Sequence, residues 1–159
     1  MTARSASHRH GKWLWALTGL FALRVAAQPA ALGVRHRLLP PFESWHSDTV
    51  PYGLLLASQL VILVAMAERS WKVTRRAQRA QPTAGRVASW LGGVYFASML
   101  ARLILGVTLL ADSRWFASWL PTLFHLGLAA FLLVLGDYHR RSAANLAAGR
   151  NERYGPTTA

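Results

Sequence analysis

The sequence predicts an all-α integral membrane protein, in which four transmembrane helices form an up-down bundle with both termini in the cytoplasm. The 159 residues are 53% hydrophobic and 15% charged, yet the net charge is +12, whereas a soluble domain has about 25% charged residues. Apolar and basic residues are segregated along the chain, as in a protein whose uncharged segments lie in lipid. There is no cysteine, which excludes a disulfide scaffold and a thiolate metal site.

Four apolar runs predict the helices. They lie at 13–32, 51–67, 87–111 and 119–136, each near the ~17–25 residues that cross a bilayer core. The runs lack the alternation of a barrel strand, so helices are the expected spanning structure. Tryptophans, which favour membrane interfaces, lie near the ends of the runs: Trp13, Trp15, Trp71, Trp90, Trp115 and Trp119.

The basic residues outside the runs predict the orientation. Thirteen of them lie in the N-terminal tail, the second loop and the C-terminal tail, against three in the other loops, Arg35, Arg37 and Arg114. The positive-inside rule therefore places both termini and the second loop in the cytoplasm. With 16 arginines and 2 lysines, the composition is typical of a GC-rich bacterial genome, so we expect a multi-pass protein of the cell inner membrane.

The runs also divide the chain. We expect a basic cytoplasmic tail at 1–12, a transmembrane domain at 13–136, and a cytoplasmic tail at 137–159 that is disordered after 143. The first run has an alternative interpretation, a signal peptide cleaved after Val25-Ala26-Ala27. Arg24 beside that point and the length of the run argue against cleavage.

Arg24 and Arg102 are the two charged residues inside the apolar runs. A charge there costs about 2.5–3.5 kcal/mol on insertion scales, so such residues are candidates for function. Arg24 lies eleven residues past Trp13, and Arg102 lies twelve past Trp90. At ~1.5 Å per residue, both are ~16–18 Å beyond their tryptophans. We therefore expect them at one depth, in the outer half of the membrane.

Two further polar residues are expected at this depth, Gln59 on the second run and His125 on the fourth. Together with Arg24 and Arg102 they predict a polar layer that opens outward, covered by the loop segment 43–48. That segment supplies Glu43, His46 and Asp48.

No acid lies inside the runs, so the arginines need compensation from water, from loop acids including Asp112, or from an anionic ligand. Three interpretations remain open: a structural network with the loop acids, a pocket for an anionic or carbonyl-bearing ligand, and independent snorkelling of the arginines.

Motifs for catalysis and for resident cofactors are weak. The sequence has no phosphate-binding loop, and no histidine cluster or Glu-x-x-His repeat that indicates a metal site. His46 and His125 are the one pair of histidines that could ligate a haem. Since this pair is a weak signal, no cofactor is expected. Glu43, His46 and Asp48 are a weak signal for acid–base chemistry.

The basic second loop suggests a partner at the membrane surface. Its cations could bind anionic lipid head groups, although such residues usually serve only as topology determinants. The residues concerned are Arg69, Lys72, Arg75, Arg76 and Arg79. Nucleic acid is not expected, because the charge is divided among short segments.

The sequence therefore favours a non-enzymatic accessory or binding protein with an outward-facing polar site. The alternative is a redox or lipid-modifying component that binds quinone, haem or a lipid head group. Gly93 and Ala97 predict close helix packing, inside the bundle or with a membrane-protein partner or second copy.

Overall fold

The computed structural model describes residues 3–33, 52–75, 81–108 and 119–154, and within them every regular element is helical. Helix α1 is Ala3–Gly33, α2 is Tyr52–Thr74, α3 is Pro82–Thr108 and α4 is Trp119–Tyr154. The all-α prediction is confirmed for these residues. The predicted covering segment 43–48 and Asp112 lie outside them.

Three of the helices are long and apolar enough to cross a membrane. The stretches that qualify are Gly53–Thr74 in α2, Pro82–Gly106 in α3 and Pro121–Arg150 in α4. The described residues of helix α1 are not among them. The protein is therefore a helical protein with three candidate membrane spans, and a fourth span in α1 stays a prediction.

Helix α4 is longer than the apolar run that it contains. It continues to Tyr154, whereas the sequence predicted a disordered tail after 143. The segment 143–148 consists of alanines, one asparagine and one leucine, and alanine and leucine have high intrinsic helix propensity. This composition explains why the helix extends beyond the apolar stretch.

The helices pack in an order that differs from the chain order. Helix α1 packs against α2 and α4, and α4 also packs against α3, whereas α2 and α3 make at most marginal contact in the described residues. The hydrophobic core lies between α1, α2 and α4. Its buried members are Leu14, Phe21, Val25, Met66, Val73, Phe131 and Tyr138. Since α3 contributes none of them, it is a peripheral helix that depends on α4.

Packed neighbours run antiparallel. Along α1 and α4, His10 meets Asp137 and Arg24 meets Phe124. Along α1 and α2, the Thr18 hydroxyl lies 3.1 Å from the Ser70 hydroxyl.

These directions bring the start of α1, the end of α2, the start of α3 and the C-terminal half of α4 to one end. The backbone N–H of Gln81 donates to His139 Nδ1 there, at 3.3 Å. We call this the basic end, because most of the cations in the described residues lie near it, among them Arg9, Lys12, Arg69, Lys72, Arg75, Arg86, Arg140 and Arg141.

Glycines hold α3 against α4. A Cβ added to Gly136 would lie 2.9 Å from the backbone N of Ser89, and one added to Gly92 would lie 3.0 Å from the backbone N of Leu133. Helices that approach this closely need small residues at the contact. A Cβ at Gly93 would meet nothing within 4 Å, and Ala97 is exposed. The expectation that the pair of Gly93 and Ala97 packs inside the bundle is therefore wrong for the described helices.

Candidate arginine site

Arg24 is buried between helices although it carries a charge. Its residue is 5% exposed, and its Cζ lies 5.0 Å from the centroid of the Phe124 ring. A guanidinium over an aromatic face gains a cation–π interaction, which strengthens where water is excluded. The Nη1 atom is buried without a hydrogen bond to any described residue. Arg24 therefore presents a desolvated donor that lacks an acceptor.

Tyr95 and His125 join α3 to α4 beside Arg24. The Tyr95 hydroxyl lies 2.7 Å from His125 Nδ1, and the rings meet edge to face with centroids 6.0 Å apart. Arg24 and Arg102 are both close enough to act electrostatically on each of these two rings. We call Arg24, Tyr95, Arg102 and His125 the arginine site.

The helix register places the two arginines at nearly one level. Arg24 lies beside Phe124 on α4. Gly85 of α3 lies beside His139 of α4. Because these two helices are antiparallel, moving seventeen residues along each of them from that contact leads to Arg102 on α3 and Thr122 on α4, which are therefore level. The two levels differ by two residues of α4, about 3 Å. Arg24, Arg102 and His125 thus lie together, as the sequence analysis expected, whereas their binding of a ligand stays a prediction.

Gln59 lies further along the bundle than the arginine site. It is eleven residues from Ser70, while Arg24 is six residues from Thr18, the partner of Ser70. At 1.5 Å per residue, Gln59 is about 7 Å further from the basic end than Arg24. Gln59 is 5% exposed, and its Oε1 is buried without a hydrogen bond in the described part of the chain. The structure therefore separates Gln59 from the level at which the sequence placed it.

Two carboxylates whose side chains the structure describes, Glu68 and Asp137, pair with other residues. Glu68 is paired with Lys72 on the surface of α2. Asp137, at the basic end, accepts hydrogen bonds from His10 at 2.9 Å and from Arg141 at 2.7 Å. Asp137 is thirteen residues along α4 from Phe124, about 20 Å.

Glu43, His46, Asp48 and Asp112 fall outside the described residues. In the part of the chain that the structure describes, the arginine site therefore carries two positive charges and no carboxylate.

The donors of the site suit an oxyanion better than a metal. The described residues contain no group of three or more His, Cys, Asp or Glu side chains that could hold a metal ion. The predicted haem ligand His46 is outside the described residues. Guanidinium groups have only donors, and two of them match the acceptors of a carboxylate or phosphate.

Sequence reasoning missed the part played by two aromatic residues. Phe124 supplies the ring beneath Arg24, and Tyr95 supplies the hydroxyl that meets His125. A signal was present for Tyr95, because it lies seven residues before Arg102, on the same face of one helix. The sequence carried no such signal for Phe124, because a single apolar residue in an apolar run does not differ from its neighbours.

A second polar feature lies at the basic end, between α1 and α4. A groove of about 340 Å³ is lined by Arg9, His10, Trp13, Leu133, Val134 and Asp137. His10 is 6% exposed and makes an edge-to-face contact with Tyr138, with ring centroids 6.0 Å apart. The hydrogen bond between His10 and Asp137 ties the start of α1 to α4, so we assign this cluster a structural role.

Together, the fold and the site define a helical protein that has three candidate membrane spans in its described residues and two arginines at nearly one level, of which Arg24 is buried. No protein family, curated protein or solved structure matches this chain. Its function is therefore inferred from the geometry of the arginine site.

Proposed function

We propose that this protein is a non-enzymatic binding protein of the bacterial inner membrane, whose arginine site holds an anionic group of a ligand. The chain crosses the membrane four times with both termini in the cytoplasm, and the arginine site lies toward the outer face. The observation that carries the proposal is the buried Nη1 of Arg24, which has no acceptor in the described residues.

The cost of the unsatisfied donor supports a ligand. A buried polar atom without a partner costs about 1–3 kcal/mol, and more when the group is charged. Such costs persist mainly at functional sites. An oxyanion that accepts from Arg24 removes this cost, and the second positive charge, on Arg102, attracts the same group.

The proximity of Tyr95 and His125 adds directional donors. When the Tyr95 hydroxyl donates to Nδ1 of His125, the neutral ring carries its proton on Nε2. This tautomer offers a further N–H donor to a bound oxygen. An acceptor-only ligand, such as an ionised acid, stabilises this arrangement.

The orientation can be tested by thiol labelling, because the chain has no cysteine. Thr83 is exposed in the first turn of α3, at the basic end. With the basic end in the cytoplasm, we expect Thr83→Cys in spheroplasts to react with a membrane-impermeant maleimide only after the membrane is permeabilised. Ser47→Cys, in the segment between α1 and α2, is expected to react without permeabilisation. The opposite pattern would show that the basic end faces outward.

Ligand binding can be tested by replacing each arginine with glutamine. Wild-type protein, purified in mild detergent and analysed by native mass spectrometry, is expected to retain an anionic species. Arg24→Gln and Arg102→Gln each remove one positive charge from the site, so we expect each variant to lose that species while remaining helical by circular dichroism.

The matched control is Arg140→Gln, which removes the same charge from an exposed position of α4. We expect this variant to keep the bound species. If the wild-type protein holds no ligand and the Arg24 and Arg102 variants unfold, the arginines belong to a structural network with the loop acids, and the proposal is wrong.

A quinone is a second candidate, favoured by the hydrogen bond between Tyr95 and His125. The imidazole N–H is a suitable donor to a carbonyl oxygen when the hydroxyl donates to Nδ1, and the hydroxyl is a suitable donor when Nδ1 carries the proton. The ligand extracted from the same purified protein distinguishes the two candidates, because a quinone has an ultraviolet absorption that an anionic lipid lacks. A quinone that copurifies with wild-type protein, and is lost from Tyr95→Phe, would favour this second candidate over an oxyanion.

A further inference from the structure

We infer that the ligand of the arginine site is a glycerol phosphate unit, whose phosphate accepts a hydrogen bond from Arg24 while a glycerol hydroxyl donates to Gln59. The anionic part of this inference rests on the proposed function, and the hydroxyl specifies the class of the ligand. The inference is carried by two polar atoms of opposite hydrogen-bonding character, a donor and an acceptor, which are buried without partners on neighbouring helices.

Gln59 presents an acceptor that the described residues leave unpaired. The residue is 5% exposed, as Arg24 is, and its Oε1 is buried without a hydrogen bond in the described part of the chain. A buried acceptor in this state has lost its hydrogen bonds with water and gained none in return. An ionised oxyanion has no hydrogen to donate. A ligand that satisfies Arg24 and Gln59 together therefore needs a hydroxyl or an N–H group beside its oxyanion.

Both side chains face the interior between α1, α2 and α4. Gln59 lies seven residues before Met66, a buried core residue, and so on the same face of α2. Arg24 lies over the ring of Phe124, which precedes the core residue Phe131 by seven residues on α4. The two unpartnered atoms therefore belong to one end of the same three-helix core, the end away from the basic end.

The order of the two atoms along the bundle matches the order of groups in a phosphatidylglycerol molecule. Gln59 is about 7 Å further from the basic end than Arg24, and in the proposed orientation that direction leads to the outer surface. In a lipid of the outer leaflet, the acyl chains point to the membrane centre, the phosphate follows, and the glycerol hydroxyls of the head group lie outermost. The phosphate thus meets Arg24, and a hydroxyl meets Gln59.

Loose packing between α2 and α4 gives a ligand a route to both atoms. Both helices pack on α1, yet they make at most marginal contact with each other in the described residues. Leu60, next to Gln59, and Leu123, next to Phe124, are exposed. Such side chains contact hydrocarbon in a bilayer, so acyl chains can lie against them while the head group enters between the two helices.

The test compares two lipids that differ in the hydroxyls alone. Phosphatidylglycerol and phosphatidylmethanol with the same acyl chains are both phosphate diesters of the same charge, and only the first has head-group hydroxyls. Each is added to delipidated protein, and binding is measured by native mass spectrometry. We expect wild type to bind phosphatidylglycerol about tenfold more tightly than phosphatidylmethanol, because the hydroxyl satisfies the buried Oε1 of Gln59.

Gln59→Leu assigns the preference to its residue. Leucine has a similar size and no acceptor, so we expect this variant to bind both lipids with the affinity that wild type has for phosphatidylmethanol. The matched control is Ser58→Ala, which removes the neighbouring exposed hydroxyl, a donor to the Leu55 carbonyl oxygen of its own helix. We expect Ser58→Ala to keep the tenfold preference.

Soluble probes identify the source of the glycerol phosphate unit. Glycerol 3-phosphate is compared with methyl phosphate, which lacks the hydroxyls. If the protein prefers glycerol 3-phosphate and phosphatidylglycerol does not compete with it, the ligand comes from the aqueous phase. If phosphatidylglycerol competes and binds more tightly, the ligand is the lipid. Either result supports the glycerol phosphate unit, provided that Gln59→Leu abolishes the preference.

Two outcomes would overturn the inference and leave the proposed function intact. The first is equal affinity of wild type for the members of each pair of probes, with both affinities lost in Arg24→Gln, as expected if a water molecule satisfies Gln59. This comparison uses wild type, so it decides the question even if Gln59→Leu does not fold. The second is a preference for the hydroxyl that persists in Gln59→Leu, which would show that another group accepts from it.

A further outcome would overturn both conclusions. If wild type and Arg24→Gln both remain helical and bind every probe equally, Arg24 holds none of these anions, and the proposed function falls with the inference. Arg140→Gln is the control for the loss of charge, and we expect it to bind each probe as wild type does.

Discussion

Alanine at position 136 is expected to loosen α4 from α3 and to lower the unfolding temperature of the protein in detergent. The added Cβ would lie 2.9 Å from the Ser89 backbone N and 3.1 Å from the Gly85 carbonyl oxygen. A rotamer change cannot move these backbone atoms, so the helices must separate. Overpacking of this kind costs about 1–3 kcal/mol. Thermal unfolding followed by circular dichroism measures the loss.

The control for this variant is Gly93→Ala. Its Cβ would meet nothing within 4 Å, and alanine is about 1 kcal/mol better than glycine inside a helix. We therefore expect Gly93→Ala to be as stable as wild type or slightly more stable. If the two alanine variants unfold at the same temperature, α3 does not depend on the close contact at Gly136.

The same contact determines whether the arginine site exists. Helix α3 carries Tyr95 and Arg102, and its extensive packing in the described part of the chain is with α4. Helix α1 supplies Arg24 and packs on α4 independently. Separation of α3 from α4 would therefore move Tyr95 and Arg102 away from Arg24 and His125, and the core between α1, α2 and α4 would stay in place. We expect Gly136→Ala to lose the retained ligand together with its stability.

The helices could be predicted from sequence, whereas the face that each helix buries could not. Apolar runs of sufficient length must be helical if they cross a bilayer, because every backbone polar group needs a partner within the segment. In such a helix, side chains toward lipid and side chains toward neighbours are equally apolar, so the pattern does not mark the buried face. This is why Gly93 was expected at a helix contact, while its neighbour Gly92 makes the contact with α4.

The level of the two arginines could be predicted because the rise of a helix is fixed. Trp13 and Trp90 gave each helix a reference near the same end, and eleven and twelve residues from them lead to nearly equal depths. Gln59 lies eight residues from Pro51, at the opposite end of its run, and no tryptophan marks that end. The contact between Thr18 and Ser70 supplies the reference that the sequence lacked, and it moves Gln59 about 7 Å away from the level of Arg24.

The hydrogen bond between Tyr95 and His125 required knowledge of which helices are neighbours. The sequence aligned Tyr95 with Arg102 on one helix and placed His125 on another, yet their contact depends on the pairing of α3 with α4. Sequence gives the faces of single helices, and tertiary packing decides which faces meet. The residues of the arginine site were therefore partly foreseeable, and their partners were not.

Replacing Arg24 by methionine is expected to change stability in opposite directions, depending on whether the ligand is bound. In delipidated protein, Arg24 is a buried cation with an unsatisfied Nη1. A buried donor without an acceptor costs about 1–3 kcal/mol, and more when it is charged, so an apolar side chain of similar length removes this cost. We therefore expect delipidated Arg24→Met to unfold at a higher temperature than delipidated wild type.

When an anionic ligand occupies the arginine site, the order is expected to reverse. A ligand that binds only the folded state stabilises it by about 2.7 kcal/mol at a concentration one hundred times its Kd. Wild type gains this stabilisation, and Arg24→Met, which lacks the guanidinium, does not. Arg140→Met, at an exposed position, is expected to follow wild type under both conditions. Should Arg24→Met be less stable than wild type in both conditions and to the same extent, Arg24 is satisfied by groups of the protein itself, and the loop acids Glu43 and Asp48 become the residues to replace next.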